Sequence, residues 1–239
     1  MRQSLVTRLR RTLQKYPPAA VFKKCDVKAF GSFMTGLYLP IADMDLVVCS
    51  QQILQGGSED QRLKIKKTLW KFRDFLQKYG LCKGIPTVIA HAKVPLVKYI
   101  DKETGLNVDV SFENTSGIKA IPTFLAWKDK HPWMPILVMV IKQFLVMRGY
   151  NEPVNGGIGS FTVICLVVSM LEQSPHTHPD SEEARVSLGE LLMEFLDLYG
   201  NRFNYHDVAI RLNPPGYVRK VCKSTVAASV LPPPGLRIS

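Results

Sequence analysis

Three aspartates set in apolar, strand-like runs are the residues of this chain best suited to chemistry. In A-D-M-D-L-V-V, residues 42–48, Asp43 and Asp45 stand one residue apart, and in L-N-V-D-V-S-F, residues 106–112, Asp109 lies between two valines. Side chains of a strand alternate between faces, so Asp43 and Asp45 point one way and Met44, Leu46 and Val48 the other. The same alternation sets Asn107, Asp109 and Ser111 on one face and Val108, Val110 and Phe112 on the core face. If the two strands are neighbours, the three carboxylates form one cluster. Clustered carboxylates raise one another's pKa unless a divalent cation favours the ionised forms. Oxygen ligands suit Mg²⁺ or Mn²⁺ rather than Zn²⁺, and two such ions about 4 Å apart activate a hydroxyl while stabilising a leaving pyrophosphate. Read alone, the D-x-D is also compatible with turn and strand-end aspartates, a reading that the Gly-Ser turn upstream weakens.

Other residues fit an anionic substrate. Gly31 permits close backbone approach and Ser32 adds a hydroxyl, so this turn can aim donors at a triphosphate, although a bare Gly-Ser is also an ordinary hairpin turn. Lys142 interrupts the apolar helix P-I-L-V-M-V-I-K-Q-F-L-V-M. An ammonium there needs an anion, for which a triphosphate is suitable, unless the side chain snorkels to a helix edge. G-G-I-G-S-F, residues 156–161, lacks the lysine of a Walker loop but opens a helix, and a helix N-terminus with Ser160 can bind phosphate oxygens.

These groups need elements to hold them. Residues 4–16 place Leu5, Val6, Leu9 and Leu13 on one helical face, with arginines mostly elsewhere, and stop before Pro17. Strands are expected at 26–30, 44–49, 87–93, 96–100 and 107–112, bounded by Gly and Pro. Residues 37–40 form a connecting loop and 51–57 a polar one. Ser58 with Gln61 signals a capped helix to about Tyr79, with Ile65, Leu69, Phe72 and Leu76 buried and Gly80 as its stop. From residue 118 the pattern turns helical, at about 120–128, 136–148, 160–172 and 183–199. The shift near Gly117 gives an expected boundary, with domains at 1–117 and 118–239 and an α/β (α+β) fold.

Composition narrows the class. A chain of 239 residues with 46% hydrophobic content folds into one large or two ordinary domains. Its formal charge of +11 favours a polyanionic partner. Arg8, Arg11, Lys23, Lys24 and Lys28 are candidates for an RNA track, and a solvated basic face is the plainer reading. The longest apolar runs, 135–147 and 158–171, fall short of the roughly 18 residues of a membrane span, so no membrane role is expected. The N-terminus lacks the apolar core of a secretory signal. Five scattered cysteines without a C-x-x-C pair point to a reducing compartment, and His176 and His178 to a solvated loop rather than a zinc site.

In order along the chain occur F-G-S, T-G-L-Y-L-P, D-x-D-L-V-V, N-V-D-V-S-F, V-I-K-Q-F-L, G-G-I-G-S-F and F-L-D-L-Y-G. Together they resemble the DNA polymerase β superfamily of nucleotidyltransferases, in particular the noncanonical poly(A) polymerases of the Trf/PAPD class. The resemblance covers nearly the whole chain. It implies a mixed-sheet catalytic domain followed by a helical one, with the nucleotide in the cleft between them. It further implies that Asp43 and Asp45 hold both metal ions, and that Asp109 holds the catalytic ion and helps deprotonate the RNA 3′-hydroxyl. Gly31 and Ser32 cradle the triphosphate, Lys142 and Ser160 contact phosphates, Phe161 stacks on the base and Gly117 lines the sugar. Ser116 stands where relatives often carry asparagine, and Val146 where uridylyl-transferring ones often carry a second lysine.

The implied reaction is template-independent addition of AMP from ATP to RNA 3′ ends in the nucleus, the nucleolus included, linked to RNA processing or decay. Its cofactors are two Mg²⁺ or Mn²⁺ ions, and a zinc-knuckle RNA-binding protein and an RNA helicase are the expected partners. The alternatives are a terminal uridylyltransferase and a catalytically idle RNA-binding scaffold. Retention of all three aspartates speaks against the scaffold. A base-choosing loop is expected beyond Ser239, so the helical domain is expected to be truncated.

Overall fold

The computed structural model describes residues 1–64, 66–174 and 187–220. It divides into two compact units, Met1–Leu125 and Ala126–Ser239. Ile65, His176, His178, the expected start of the last helix at 183 and the C-terminal V-L-P-P-P-G-L-R-I-S lie outside the described residues.

In the first unit, helix α1 (Arg2–Lys15) buries Leu5, Val6, Leu9 and Leu13, the face its spacing selects. Strand β1 (Cys25–Ala29) leads into a short helix α2 (Gly31–Thr35), where the sequence suggested a turn. Then follow β2 (Met44–Ser50), a four-residue α3 (Gln51–Leu54) and α4 (Lys66–Lys78). Strands β3 (Cys82–Ile89), β4 (Leu96–Asp101) and β5 (Asn107–Phe112) complete a mixed five-stranded sheet ordered β1-β2-β5-β4-β3. Only β2 and β5 are parallel; the other neighbouring pairs are antiparallel.

The core lies where α1 and α4 meet this sheet. Phe72 of α4 packs edge-on to Phe112 of β5 at 5.2 Å between ring centroids, and Leu46, Leu69, Leu76, Val108 and Val110 are fully buried. Each such side chain contributes about 2 kcal/mol of transfer free energy. The burial of Leu69, Phe72 and Leu76 follows the expected stripe.

Two elements depart from the sequence reading. The helix expected from Ser58 begins at Lys66, after a 3₁₀ turn at Gln61–Lys64. The Asp60 amide donates to the Glu113 carboxylate at 2.7 Å, so this segment is tied to the end of β5 instead of entering a helix. Strand β3 starts at Cys82, not Thr87. Pro86 argued against a strand there, but β3 is an edge strand, and a register shift between Lys83 and Thr87 absorbs the proline. Gly80 does end α4: at φ +60° it places the Leu81 amide on Leu76 O at 2.9 Å.

Helix α5 (Ser116–Lys130) carries the division between the units. The second unit contains α6 (Met134–Met147), α7 (Ser160–Gln173) and α8 (Leu188–Asp197), with a π-helical turn at Leu198–Arg202. Helix α7 is buried almost along its length, and Tyr199 Oη donates to Leu166 O at 2.9 Å. A hairpin of β6 (Val208–Leu212) and β7 (Pro215–Arg219) packs on α7. The sequence reading had only helices here. The five-residue run V-A-I-R-L is too short to separate strand from helix by periodicity, and Asn213-Pro214 between the strands is what marks the turn.

Candidate active site

Strands β2 and β5 are neighbours, and their parallel register sets Asp45 opposite Asp109. Paired residues share a face, so both carboxylates stand on the side of the sheet away from Met44, Leu46, Val108 and Val110. Asp43 directly precedes β2, and its charge is felt at Asp109. Burial pushes the Asp109 carboxyl above its usual range; Lys98 opposes the shift and Asp43 adds to it. Lys98 is the cross-strand partner of Asp109 on β4, and its Nζ lies 2.6 Å from Asp109 Oδ2.

Gly31 closes on this pair. The Phe30 amide donates to Asp45 O at 3.0 Å, which brings the start of α2 against β2. Gly31 has φ +65°, and a Cβ there would lie 2.4 Å from Asp45 Oδ2. Both its backbone conformation and its lack of a side chain are therefore needed. Ser32 follows in α2, whose last turn is closed by Thr35 Oγ1 donating to Ser32 O at 3.1 Å. Gly117, near the start of α5, faces Phe30: a Cβ would fall 2.2 Å from Phe30 Cδ2. Room for this ring is reason enough for the glycine.

Among the described residues, no three His, Cys, Asp and Glu side chains converge closely enough to ligate an ion by themselves. Strand register brings Asp45 and Asp109 to one face, while the Asp109 carboxylate is held by Lys98. The donor set nevertheless fits a hard divalent cation. It is all oxygen, Asp45 and Asp109 share one strand register, and Gly31 leaves space beside Asp45 that a Cβ would fill.

Lys142, Ser160 and Phe161 belong to the second unit. Lys142 is buried on the same side of α6 as Val138, Ile141 and Leu145. At 7% exposure it does not snorkel to solvent. Ser160 is the first residue of α7, after Gly159 in extended conformation, and Phe161 is partly exposed. Of the basic residues considered for RNA, Arg8 is committed to Asp101 and Glu103, and Lys28 pairs with Asp26.

Two residues near the site, Lys98 and Arg2, and one at the far end of β2 and β5, Glu113, had no part in the sequence-based expectation. Lys98 alternates with the buried Val97 and Tyr99, a visible signal that it shares the aspartates' face once β4 is placed beside β5. Arg2 donates to backbone carbonyls of the loop before Asp43. Glu113 is fully buried at φ +58° and accepts from the Ser50 amide, from Ser50 Oγ at 2.9 Å and from the Asp60 amide. Neither of the last two has a local pattern.

Comparison with known proteins places these features in context. A family profile described as "Poly(A) RNA polymerase, mitochondrial-like, central palm domain" matches residues 1–127, and one described as "Cid1 family poly A polymerase" matches residues 187–230. Poly(A) RNA polymerase protein 2 of Saccharomyces cerevisiae is 36% identical over 95% of this chain and 36% of its own length. The inactive noncanonical poly(A) RNA polymerase protein Trf4-2 of Drosophila melanogaster is 34% identical over 84% of this chain and 47% of its own length. The polymerase core of TRAMP, an RNA surveillance complex, superposes with a TM-score of 0.75 at 35% identity, covering 91% of this chain and 64% of that one. The chain thus spans about a third to a half of the length of these curated relatives.

Proposed function

Because the chain belongs to the noncanonical poly(A) RNA polymerase family, we propose that it is a nucleotidyltransferase that adds AMP from ATP to RNA 3′ ends without a template. The observation that carries this reading is the register of Asp45 against Asp109, with Gly31 closing on Asp45. In the reaction the RNA 3′-hydroxyl loses its proton, its oxygen attacks the α-phosphorus of ATP, and the bond to the β,γ-pyrophosphate breaks. Two divalent ions, when bound, lower the hydroxyl's pKa and neutralise the leaving pyrophosphate.

The chain's own residues do the positioning. Asp43, Asp45 and Asp109 would hold Mg²⁺ or Mn²⁺, and Asp109 would help deprotonate the hydroxyl. Gly31 and Ser32 cradle the triphosphate at the start of α2. Lys142 and Ser160 bind phosphate oxygens, Phe161 stacks on the base and Gly117 borders the sugar. Lys142 brings a positive charge to the buried side of α6, which suits it to this role. The expected setting is RNA processing or decay in the nucleus, with a zinc-knuckle RNA-binding protein and an RNA helicase as partners.

The test is extension of an end-labelled single-stranded RNA with Mg²⁺ or Mn²⁺ and each nucleoside triphosphate separately, beside Asp43→Ala and Asp45→Ala. A ladder with ATP that disappears in both variants supports the proposal. A ladder with UTP alone replaces it by uridylyl transfer. No addition with any nucleotide, the zinc-knuckle partner present, leaves the idle scaffold.

A further inference from the structure

Asp43 is the one aspartate of the three that lies outside a strand, so no ladder of sheet hydrogen bonds fixes it. It ends a loop, residues 36–43, that joins α2 to β2. Within that loop Leu37 and Leu39 are buried, whereas Pro40 and Ile41 are exposed. The one internal backbone bond near the aspartate is the Ala42 amide to Leu39 O at 2.9 Å. An exposed turn of this kind is where a carboxylate's position is least determined by packing.

Arg2 supplies what the turn lacks. Its Nη2 donates to Pro40 O at 3.0 Å and to Ala42 O at 2.7 Å, and its Nη1 points at Asp43 O at 3.5 Å. The guanidinium also lies over the Tyr38 ring, 4.6 Å from its centroid, and Tyr38 packs against Phe33 of α2. One planar fork therefore ties together both halves of the loop. Behind it, α1 is anchored in the core by Leu5, Val6, Leu9 and Leu13. A lysine could reach one carbonyl but cannot span several in one plane and stack on the ring as well.

We propose that Arg2 is a positioning residue: it fixes where the Asp43 carboxylate stands by clamping the carbonyls of the loop that carries it. This rests on the assignment of Asp43 as a metal-holding residue. Partners that orient a ligand from behind typically govern metal affinity by 10- to 100-fold, and about tenfold is expected here.

The experiment compares the full chain, Arg2→Ala and Arg2→Lys for Mn²⁺ binding by electron paramagnetic resonance, in the presence of a non-hydrolysable ATP analogue. Mg²⁺ titrations of AMP addition accompany it. Arg10→Ala is the control, because Arg10 tethers the same helix elsewhere, through Val27 O at 2.6 Å and Asp26 at 2.7 Å. Expected are Mn²⁺ binding about tenfold weaker in Arg2→Ala, intermediate in Arg2→Lys and unchanged in Arg10→Ala. The Mg²⁺ dependence shifts to match, the RNA KM stays constant and the rate recovers at high Mg²⁺. Equal Mn²⁺ affinity in Arg2→Ala and wild type, or equal loss in Arg10→Ala, overturns the clamp alone. If Asp43→Ala binds Mn²⁺ as wild type does, the metal assignment falls and takes the clamp with it.

Discussion

Lys98 Nζ stands 2.6 Å from Asp109 Oδ2, across the antiparallel pair of β4 and β5. The contact gives a partly buried carboxylate its counter-charge, on the face it shares with Asp45. A divalent cation coming to Asp109 competes with this ammonium. Lys98→Met removes the competitor and is expected to tighten Mn²⁺ binding up to about fivefold, the equivalent of a half-exposed ion pair worth up to about 1 kcal/mol. Calorimetric titration of Mn²⁺ into both proteins checks it. Weaker binding in Lys98→Met would instead mean that Lys98 holds Asp109 in its ligating pose.

Gly31→Ala strikes the same site from the other side. Its Cβ would meet Asp45 Oδ2 at 2.4 Å in a backbone conformation, φ +65°, that alanine disfavours. The expected stability loss is about 1–2 kcal/mol. The expected loss of AMP addition is larger, about 100-fold, since displacement of a reacting constellation by an ångström has that effect. Thermal melting and single-turnover extension separate the two effects. An active Gly31→Ala would show that Asp45 need not stay where Gly31 lets it stand.

How much of this was legible in the sequence depends on whether a partner was local. The alternation in A-D-M-D-L-V-V and N-V-D-V-S-F marked the strands and the shared facing of Asp45 and Asp109, because a period of two is a property of each strand alone. That β2 lies parallel to β5 was not in either run. It depends on the order of the intervening elements, and the sequence reading could only state it as a condition. Lys98 needed that same order before its alternation meant anything. Arg2 and Glu113 bind backbone groups 38 to 63 residues away, and backbone groups leave no residue signature. β3 was misplaced because Pro86 reads as a breaker until the strand is known to be an edge.

Glu113 illustrates a long-range tie whose removal is predictable. Its carboxylate satisfies the Ser50 amide and hydroxyl and the Asp60 amide, so it joins the end of β2 to the segment before α4. Glu113→Ala leaves these donors without an acceptor and is expected to cost about 2–4 kcal/mol. Glu113→Gln is expected to fare little better, because its amide nitrogen is a donor set against donors. Urea unfolding measures both. A wild-type midpoint in Glu113→Gln would mean that a single acceptor oxygen suffices.

In the second unit, Glu172 of α7 accepts from Lys130 Nζ at 2.7 and 2.6 Å and from His131 Nε2 at 2.8 Å. Burial alone raises its pKa, but the hydrogen bonds and charges of Lys130 and His131 outweigh that and hold it below the ordinary 4.5. A carboxyl lowered in the folded state binds fewer protons there than in the unfolded chain. Its stabilisation is therefore complete above the unfolded value and is lost as pH falls through the lower folded one. Glu172→Gln is expected to reduce stability by about 1 kcal/mol at neutral pH. It should also flatten the fall in stability as pH drops below the ordinary carboxylate value of 4.5, so that the wild-type and variant curves converge in acid. Urea midpoints across that range decide it: parallel curves would mean that Glu172 is held by packing rather than by its charge.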